Sequence, residues 1–367
     1  MIHVDIHTKV LRQDTRIVVA RPGARYMFFT QFAENNFVGP DLPGLDLPPF
    51  DSFDDIPQIT ERIKRSVEIR RLSRQADPDE TLVEDLDYYD SSNNPRIRQF
   101  ERVIAAYFKH SKKGDLVVLP PINFKGDALI GEFTGEPSDV HTLSLPRYGE
   151  ELLSGRSVRW LSKIPKQKLP PQTLDALQKP NPIFLVEKSA WPDIFRRAYG
   201  SYSYNGDYSA RFEVTSERFN IADDFLIQAF FNFVSANTDR IDNNATELLN
   251  LRAGAFAAGD FAPELYTNVN SPGGLSLKAL KITPIVIAVM FTLATEAGPD
   301  AYHAAVSDTI VFGNSLAPAG DDCVVPVRQQ VVSQLTILGY DRWAEACEAA
   351  RTAAAKTGLS TTVKVDD

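Results

Sequence analysis

The sequence predicts an α+β protein, with an N-terminal small β-barrel and flanking helices followed by a mainly α-helical C-terminal domain. The first half contains short apolar runs separated by glycine- and proline-bearing turns, a pattern typical of a small twisted barrel. The second half contains longer segments of helical character. Because 367 residues exceed one ordinary core, we expect a domain over 1–190, a linker or hairpin over 191–212 and a helical domain over 213–367.

The strands of the first half are predicted from short runs of apolar and β-branched residues, each beside a turn signal. They are expected at 16–20, 115–121, 128–133, 157–161 and 182–186. Two helices are predicted as well, over 58–74 and 95–110. In the second of them the apolar residues recur with a period close to 3.6, which indicates one buried face.

The predicted helix over 58–74 is strongly basic, and its charges have two interpretations. The basic residues are Arg62, Lys64, Arg65, Arg70, Arg71 and Arg74. They could form a face that contacts phosphates. Alternatively, they form a solvated face that is neutralised by the acids of 77–90, which follow immediately in the chain. The closeness of the two groups in sequence favours neutralisation.

In the second half, helices are predicted from length and apolar content. They are expected over 225–234, 245–258, 282–297, 325–338 and 341–356. The most apolar stretch, 282–294, is shorter than the roughly 20 residues that span a bilayer, so it is predicted to be a buried core helix. A loop over 271–274 is expected to precede a helix that contains Lys278 and Lys281.

Four tyrosines and three arginines are crowded into residues 196–211. Aromatic side chains between basic ones suit single-stranded nucleic acid or a protein interface. The other interpretation is a linker or hairpin whose tyrosines pack on the neighbouring domain. The sequence leaves both open.

The net charge of −9 is unevenly distributed. Residues 1–190 carry 26 basic and 27 acidic side chains, whereas residues 191–367 carry 13 and 21. This acidic surplus argues against a nucleic-acid groove in the second half. Cys323 and Cys347 are the two cysteines, and the N-terminus does not resemble a secretory signal. We therefore predict free thiols in a cytoplasmic protein that does not engage a membrane.

No familiar catalytic motif occurs in the sequence. There is no P-loop, dinucleotide fingerprint or nucleophile elbow. The pair His3 and His7 lies in a predicted terminal strand and is not expected to hold zinc. Residues 191–367 contain no Glu-x-Lys, the arrangement that a metal-dependent nuclease of the type considered below would carry. We predict no catalytic residue, no metal site and no cofactor; an enzyme with an unrecognised site in the C-terminal domain is an alternative.

Four pieces of the first half carry a family resemblance. They are RIVVARPG at 16–23, NFVGPDL at 36–42, KGDLVV at 113–118 with IGEFTG at 130–135, and RSVRWL at 156–161. In this order they resemble the N-terminal domain of Mrr-like prokaryotic restriction and anti-phage defence proteins. The resemblance covers about half of the chain. Several of its glycines stand at predicted strand entries, where tight turns need them.

The resemblance implies a PUA- or EVE-like small barrel that senses nucleic acid, including modified DNA or a flipped base. The chain would then be a non-catalytic nucleic-acid-sensing component of a prokaryotic restriction or anti-phage defence system. Its C-terminal domain would bind a protein partner. The alternative within such a system is a scaffold subunit of a multiprotein complex, in which the barrel is only structural.

Five residues are the candidate nucleic-acid contacts. Arg21, Lys125, Arg156 and Arg159 would neutralise phosphates, and Trp160 would stack on a base or line a pocket. Core packing is the alternative role of Trp160, because an aromatic residue on a barrel strand is commonly buried.

Overall fold

The computed structural model describes residues 1–74, 82–90, 96–179, 181–253, 257, 259–268, 273–317 and 323–366. The chain forms two compact units, one of residues 14–198 and one of residues 1–13 together with 199–367. Helices and sheets both contribute, as the predicted α+β class requires. The division differs from the expected 1–190 and 213–367, because the first 13 residues belong to the same unit as the C-terminal half.

The described residues contain ten α-helices, numbered here in chain order. They are α1 (Phe29–Glu34), α2 (Ile59–Leu72), α3 (Ile97–Ala105), α4 (Pro171–Ala176), α5 (Trp191–Tyr199), α6 (Ile221–Asp242), α7 (Thr283–Thr292), α8 (Asp300–Val306), α9 (Val324–Leu338) and α10 (Tyr340–Thr357). Two π-helical turns, Ala106–His110 and Leu293–Ala297, continue α3 and α7. Six of the eight predicted helices are confirmed, since they coincide with α2, α3, α6, α7, α9 and α10.

Sixteen strands are present in the same described residues. They are β1 (Ile2–Asp5), β2 (Lys9–Val10), β3 (Ile17–Ala20), β4 (Phe37–Val38), β5 (Leu116–Leu119), β6 (Asp127–Phe133), β7 (His141–Ser144), β8 (Leu152–Pro165), β9 (Ile183–Leu185), β10 (Tyr202–Tyr204), β11 (Asp207–Val214), β12 (Glu264–Asn268), β13 (Gly273–Ala279), β14 (Ile310–Gly313), β15 (Ser360–Thr361) and β16 (Lys364–Asp366). The five strands predicted in the first half are confirmed as β3, β5, β6, β8 and β9.

The unit of residues 14–198 is built on a curled half-barrel sheet. Its strand order is β4-β8-β6-β5-β3-β9, and β7 pairs with β8 as well. β3 and β5 are parallel, whereas the other neighbours are antiparallel. All four residues of β5 are buried, which is typical of a strand that is covered on both faces. The core combines aliphatic and aromatic side chains, and Phe32 meets Phe37 edge to face with 5.1 Å between ring centroids.

The basic face of α2 is largely satisfied within this unit. Arg65 forms ion pairs of 3.0 Å with Glu84 and with Glu151. Lys64 Nζ donates to the backbone carbonyls of Tyr89 and Asp90, at 2.8 and 2.9 Å. The segment 82–90 therefore lies along α2 and supplies an acid to it, as predicted, while the acids at 77–80 fall outside the described residues.

The second unit combines helices α6 to α10 with two sheets. The larger sheet has the order β12-β13-β11-β10-β2, with β15 also paired to β11, and the smaller has the order β14-β1-β16. β1 pairs in parallel with β14, so that Ile2 lies opposite Ile310. All ten residues of α7 are buried, which confirms the predicted core helix. Ile2, Val4 and Ile6 join this core, and their burial places the N-terminal segment in the second unit.

Two helix predictions in the second half are wrong. Residues 245–250 form a loop that leads into a single 3-10 turn at Leu251–Ala253, and the segment beyond it is described only in part. Lys278 lies on strand β13 rather than on a helix. Residues 202–214 form the antiparallel hairpin β10–β11, in which Tyr202 pairs with Ser209.

Candidate functional site

A cleft of about 620 Å3 opens on the unit of residues 14–198, and it is called the aromatic pocket here. Three aromatic residues line it, namely Tyr26, Phe29 and Trp160. Phe29 begins α1, Trp160 lies on β8, and the loop between β5 and β6 provides a further wall. A concave surface of this size with several rings suits a flat, partly apolar ligand.

The indole of Trp160 is held in place by two features of the fold. Trp160 lies opposite Gly131 in the β6–β8 ladder, and a Cβ atom at position 131 would be 2.6 Å from Trp160 Cε3. The glycine thus leaves room for the ring to cross β6. Trp160 Nε1 donates to the carbonyl oxygen of Ala33 at 2.9 Å, which fixes the ring against α1.

The polar lining of the aromatic pocket carries a small negative charge. Glu34, Asp127 and Lys163 line it and leave a net charge of −1, and Asn123 adds an amide. Carboxylate and amide oxygens accept hydrogen bonds, and the amide can also donate. The lining therefore suits an uncharged ring with amino groups better than it suits a phosphate.

The turn that carries Tyr26 has an unusual backbone. Gly23, Arg25 and Tyr26 have φ angles of 73°, 55° and 61°. For residues other than glycine, such conformations cost on the order of 1–3 kcal/mol each and are concentrated at ligand sites. A Cβ atom at position 23 would lie 2.5 Å from Phe28 Cδ2, so this position requires glycine on two grounds.

Two cations lie close to the ring of Tyr26. Lys166 Nζ is 4.7 Å and the guanidinium carbon of Arg21 is 5.6 Å from the ring centroid. Lys166 also donates to the carbonyl of Pro121 at 2.8 Å. Burial, together with the charge of Arg21, lowers the pKa of Lys166. The turn is thereby fixed to the sheet by cation–π contacts and a hydrogen bond.

Arg156, one of the expected phosphate contacts, is a core residue. Its side chain is 0% exposed and donates to the carbonyls of Tyr107, Ser111 and Gly135 at 2.6, 2.9 and 2.5 Å. Its guanidinium carbon lies 5.2 Å from the centroid of the Phe133 ring. Burial lowers the pKa of Arg156 to about 10. A group enclosed in this way cannot reach a phosphate, so the expectation for Arg156 is corrected to a structural role.

The other expected contacts are near a pocket or exposed. Trp160 lines the aromatic pocket, and Lys125 is exposed in the loop that contributes Asn123 and Gly126 to the same lining. Arg159 has a side chain that is 65% exposed and pairs with Glu132 at 3.2 Å. Arg21 lies outside the aromatic pocket, and its guanidinium donates to the carbonyls of Leu177 and Lys179. The structure thus brings Trp160 and the loop of Lys125 together.

Several residues that line the aromatic pocket were not among the contacts predicted from the sequence. Tyr26 and Phe29 stand in a run that fits either a strand or a helix. Lys163 stands near the end of β8, beyond the predicted strand over 157–161. A turn in which Gly23 precedes a basic and an aromatic residue is the one local hint of unusual backbone geometry.

The described part of the chain gives little support to a metal site or to a reactive cysteine. Within the described ranges, no group of three or more histidine, cysteine or acidic side chains is arranged to hold a metal ion. Cys323 and Cys347 are free and buried, and burial raises the pKa of Cys347 to about 12. A thiol of this kind is a poor nucleophile at neutral pH. None of the described helices is long and apolar enough to cross a membrane.

Comparison with protein-family models, with curated proteins and with solved structures found no match to this chain.

Proposed function

We propose that the unit of residues 14–198 is a non-catalytic nucleic-acid sensor, and that its aromatic pocket receives an unstacked base. The observation that carries the proposal is the convergence of Tyr26, Phe29 and Trp160 on one cleft. Stacking on aromatic side chains contributes about 1–3 kcal/mol per base and tolerates any base, because every base has a π-face. Sequence or modification would be recognised by the polar lining.

The polar lining supports a base rather than a sugar phosphate. Glu34 and Asp127 can accept hydrogen bonds from exocyclic amino groups, and Asn123 can both donate and accept. A base reaches such a cleft when it is single-stranded or rotated out of a duplex. Lys125 and Arg159 are exposed cations of this unit that can contact the backbone of the strand.

The finer parts of the proposal come from the sequence resemblance. The curled half-barrel would correspond to the PUA- or EVE-like small barrel of Mrr-like restriction proteins. In that setting the chain serves a prokaryotic restriction or anti-phage defence system, and the C-terminal domain binds a protein partner. Phosphate contacts in this proposal come from Arg21, Lys125 and Arg159 and no longer from Arg156.

Tryptophan fluorescence of the full chain tests the proposal directly. Trp191 and Trp343 are 4% and 0% exposed, so Trp160 is the tryptophan that an entering base would quench. The titration uses single-stranded and duplex DNA and RNA, with and without modified bases, at two salt concentrations. We expect quenching that saturates, follows the binding isotherm and is stronger for single strands.

A matched pair of variants identifies the pocket. Phe29→Leu removes a ring that lines the aromatic pocket, whereas Phe124→Leu removes a ring that is 59% exposed on the neighbouring loop and does not line it. We expect about tenfold weaker binding for Phe29→Leu and little change for Phe124→Leu. Absence of quenching with every nucleic acid at low salt would rule out the proposal, as would equal effects of the two variants.

A further inference from the structure

A second cavity of the unit of residues 14–198 has a different chemical character. It has a volume of about 340 Å3 and is lined by Arg21, Arg25, Arg70 and Arg96. Asp41 is the one carboxylate in its lining. This cavity is called the arginine pocket here. It shares one residue, Tyr26, with the aromatic pocket.

Four separate elements bring these arginines together. Arg21 directly follows β3, and Arg25 belongs to the turn with positive φ angles. Arg70 lies in the last turn of α2, and Arg96 directly precedes α3. Convergence of like charges from distant parts of the chain is costly unless an anion compensates it.

The charge of the arginine pocket is not neutralised by its own lining. Four guanidinium groups and one carboxylate give the lining a formal charge of +3, and Arg96 has a further contact of its own. The carboxylate is already engaged, because Asp41 pairs with Arg70 at 3.1 Å and accepts a hydrogen bond from the hydroxyl of Tyr148. Arg25 forms no hydrogen bond or ion pair with any residue that the structure describes.

Two of the arginines present donors that the protein does not use. The Nε atoms of Arg21 and Arg70 are buried and have no acceptor within the described ranges. Both side chains are nevertheless anchored, since Arg21 donates to the carbonyls of Leu177 and Lys179 and Arg70 pairs with Asp41. Buried donors on fixed side chains are suited to a ligand oxygen.

We propose that the arginine pocket binds a phosphate group. Guanidinium groups match phosphate oxygens in geometry and charge, and they recur wherever a phosphate is recognised by more than one donor. The aromatic pocket has a lining charge of −1 and the arginine pocket one of +3, and Tyr26 separates them. This arrangement matches a nucleotide, which joins an uncharged base to an anionic phosphate.

The identity of the phosphate as part of a nucleotide rests on the proposed function. The phosphate can come from an internal diester, with one negative charge, or from a strand end, where a monoester carries about −1.5 to −2 at neutral pH. The excess of guanidinium groups over carboxylates in the lining favours the monoester. Oligonucleotides of one sequence with a 5′-phosphate, a 3′-phosphate or two hydroxyl ends separate these sources, and inorganic pyrophosphate serves as a probe without a base.

The test uses the full chain and two variants at exposed positions. Arg25→Asn removes a charge and keeps a residue that tolerates a positive φ angle, and Arg96→Gln removes a charge ahead of α3. Arg98→Gln is the matched control, because Arg98 is exposed on α3 outside the pocket lining. Binding is measured by anisotropy of labelled strands across a salt series, together with quenching of Trp160.

We expect Arg25→Asn and Arg96→Gln each to weaken binding of a 5′-phosphorylated strand about tenfold. The slope of log K against log salt should fall by about 0.7 for each lost contact. Arg98→Gln should leave both quantities unchanged. Equal effects of all three variants would overturn the inference, even if strands still quench Trp160 and the proposed function stands. Pyrophosphate binding that depends on Arg25 and Arg96, without quenching of Trp160 by any strand, would support the arginine pocket and overturn the proposed function.

Discussion

Arginines in the unit of residues 14–198 occupy two regions with opposite surroundings. Around Arg156 the protein itself supplies the acceptors, three backbone carbonyls and the face of Phe133, and the side chain is fully enclosed. In the arginine pocket, four guanidinium groups and one carboxylate line a cavity, and the carboxylate, Asp41, pairs with Arg70. Arg156 Nε, like the Nε atoms of Arg21 and Arg70, has no acceptor in the described residues, so the two regions differ in access: Arg156 is 0% exposed, whereas Arg25 and Arg96 are exposed.

Access from solvent, and not the presence of arginine, separates Arg156 from the arginines that are proposed to contact a phosphate. Arg156 donates to the carbonyls of Tyr107 and Ser111, in and directly after the π-helical turn, and to that of Gly135 beyond β6, so it ties the π-helical turn after α3 to the end of β6. Such carbonyls would otherwise be buried and unpaired. In the arginine pocket, Arg21 and Arg70 are anchored in a similar way, but Arg25 and Arg96 are exposed.

The largest effect is expected from Arg156→Met. The variant retains much of the side-chain volume but removes the donor to three carbonyls, two of them in buried contacts, so we expect the free energy of unfolding to fall by about 3 kcal/mol or more. Urea denaturation measures the change. Arg159→Met removes the same group three residues away, where the side chain is 65% exposed, and should cost at most about 1 kcal/mol. Equal costs would show that the carbonyls around Arg156 do not need it.

A smaller effect is expected at the turn between the two pockets. Gly23→Ala places a Cβ atom 2.5 Å from Phe28 Cδ2 at a φ of 73°, so it should lower the free energy of unfolding by about 2–3 kcal/mol. Gly149→Ala is the matched control, since Gly149 has a φ of 60° but nothing within 4 Å of its Cβ position. The difference between the variants in thermal or urea unfolding isolates the steric contribution. If both cost the same, the turn is limited by its backbone angle alone.

A hydroxyl group at the edge of the arginine pocket should contribute less. Tyr148→Phe removes the donor to Asp41 and leaves the ring in the core, where it contacts Phe28 with 5.8 Å between centroids. We expect a loss of about 1.5 kcal/mol, because Asp41 keeps its ion pair with Arg70. Urea unfolding measures it, and Tyr88→Phe, at a residue that is 62% exposed, provides the baseline. Burial and Asp41 also raise the pKa of Tyr148, so its late ionisation should disappear from an absorbance titration of the variant.

The sequence predicted those elements whose signal is local. The apolar runs of β3, β5, β6, β8 and β9 and the periodic apolar spacing of α3 are properties of adjacent residues. The expected domain over 1–190 wrongly included β1. This strand belongs to the second unit because it pairs in parallel with β14, where Ile2 lies opposite Ile310, about 300 residues further along the chain. No short-range pattern specifies such a pairing. The sequence of β13 does contain a strand pattern. Leu275, Leu277 and Ala279 alternate with polar residues and are buried in the structure, and this alternation indicates a strand and not the helix that was predicted.

The sequence predicted only part of the candidate site, as it did for the fold. Trp160 was singled out, and it does line the aromatic pocket. Alternation along β8 places Arg156 on the same side as Val158, which is 2% exposed, and Arg159 on the other side. This period of two would have separated the buried arginine from the exposed one. Tyr26, Phe29 and Lys163 could not be grouped in advance, because a turn, a helix and a strand meet there only through the fold.

The smallest effect is expected from the protonation of His110, which lies near the charges of Arg16 and Lys109. Burial and the charges of Arg16 and Lys109 lower the pKa of His110, and Asp54 opposes them. A histidine whose pKa is lower in the folded state than in the unfolded state contributes stability above the unfolded pKa of about 6.5, and this contribution is lost as the pH falls through the folded pKa. His110→Gln should therefore flatten the dependence of urea stability on pH between 8 and 5 (about the range in which histidine titrates). His141→Gln, at another exposed position of the same unit, is the comparison variant. A steeper dependence of stability on pH in His110→Gln would mean that the folded state stabilises protonated His110. That result would contradict the lowered pKa of His110.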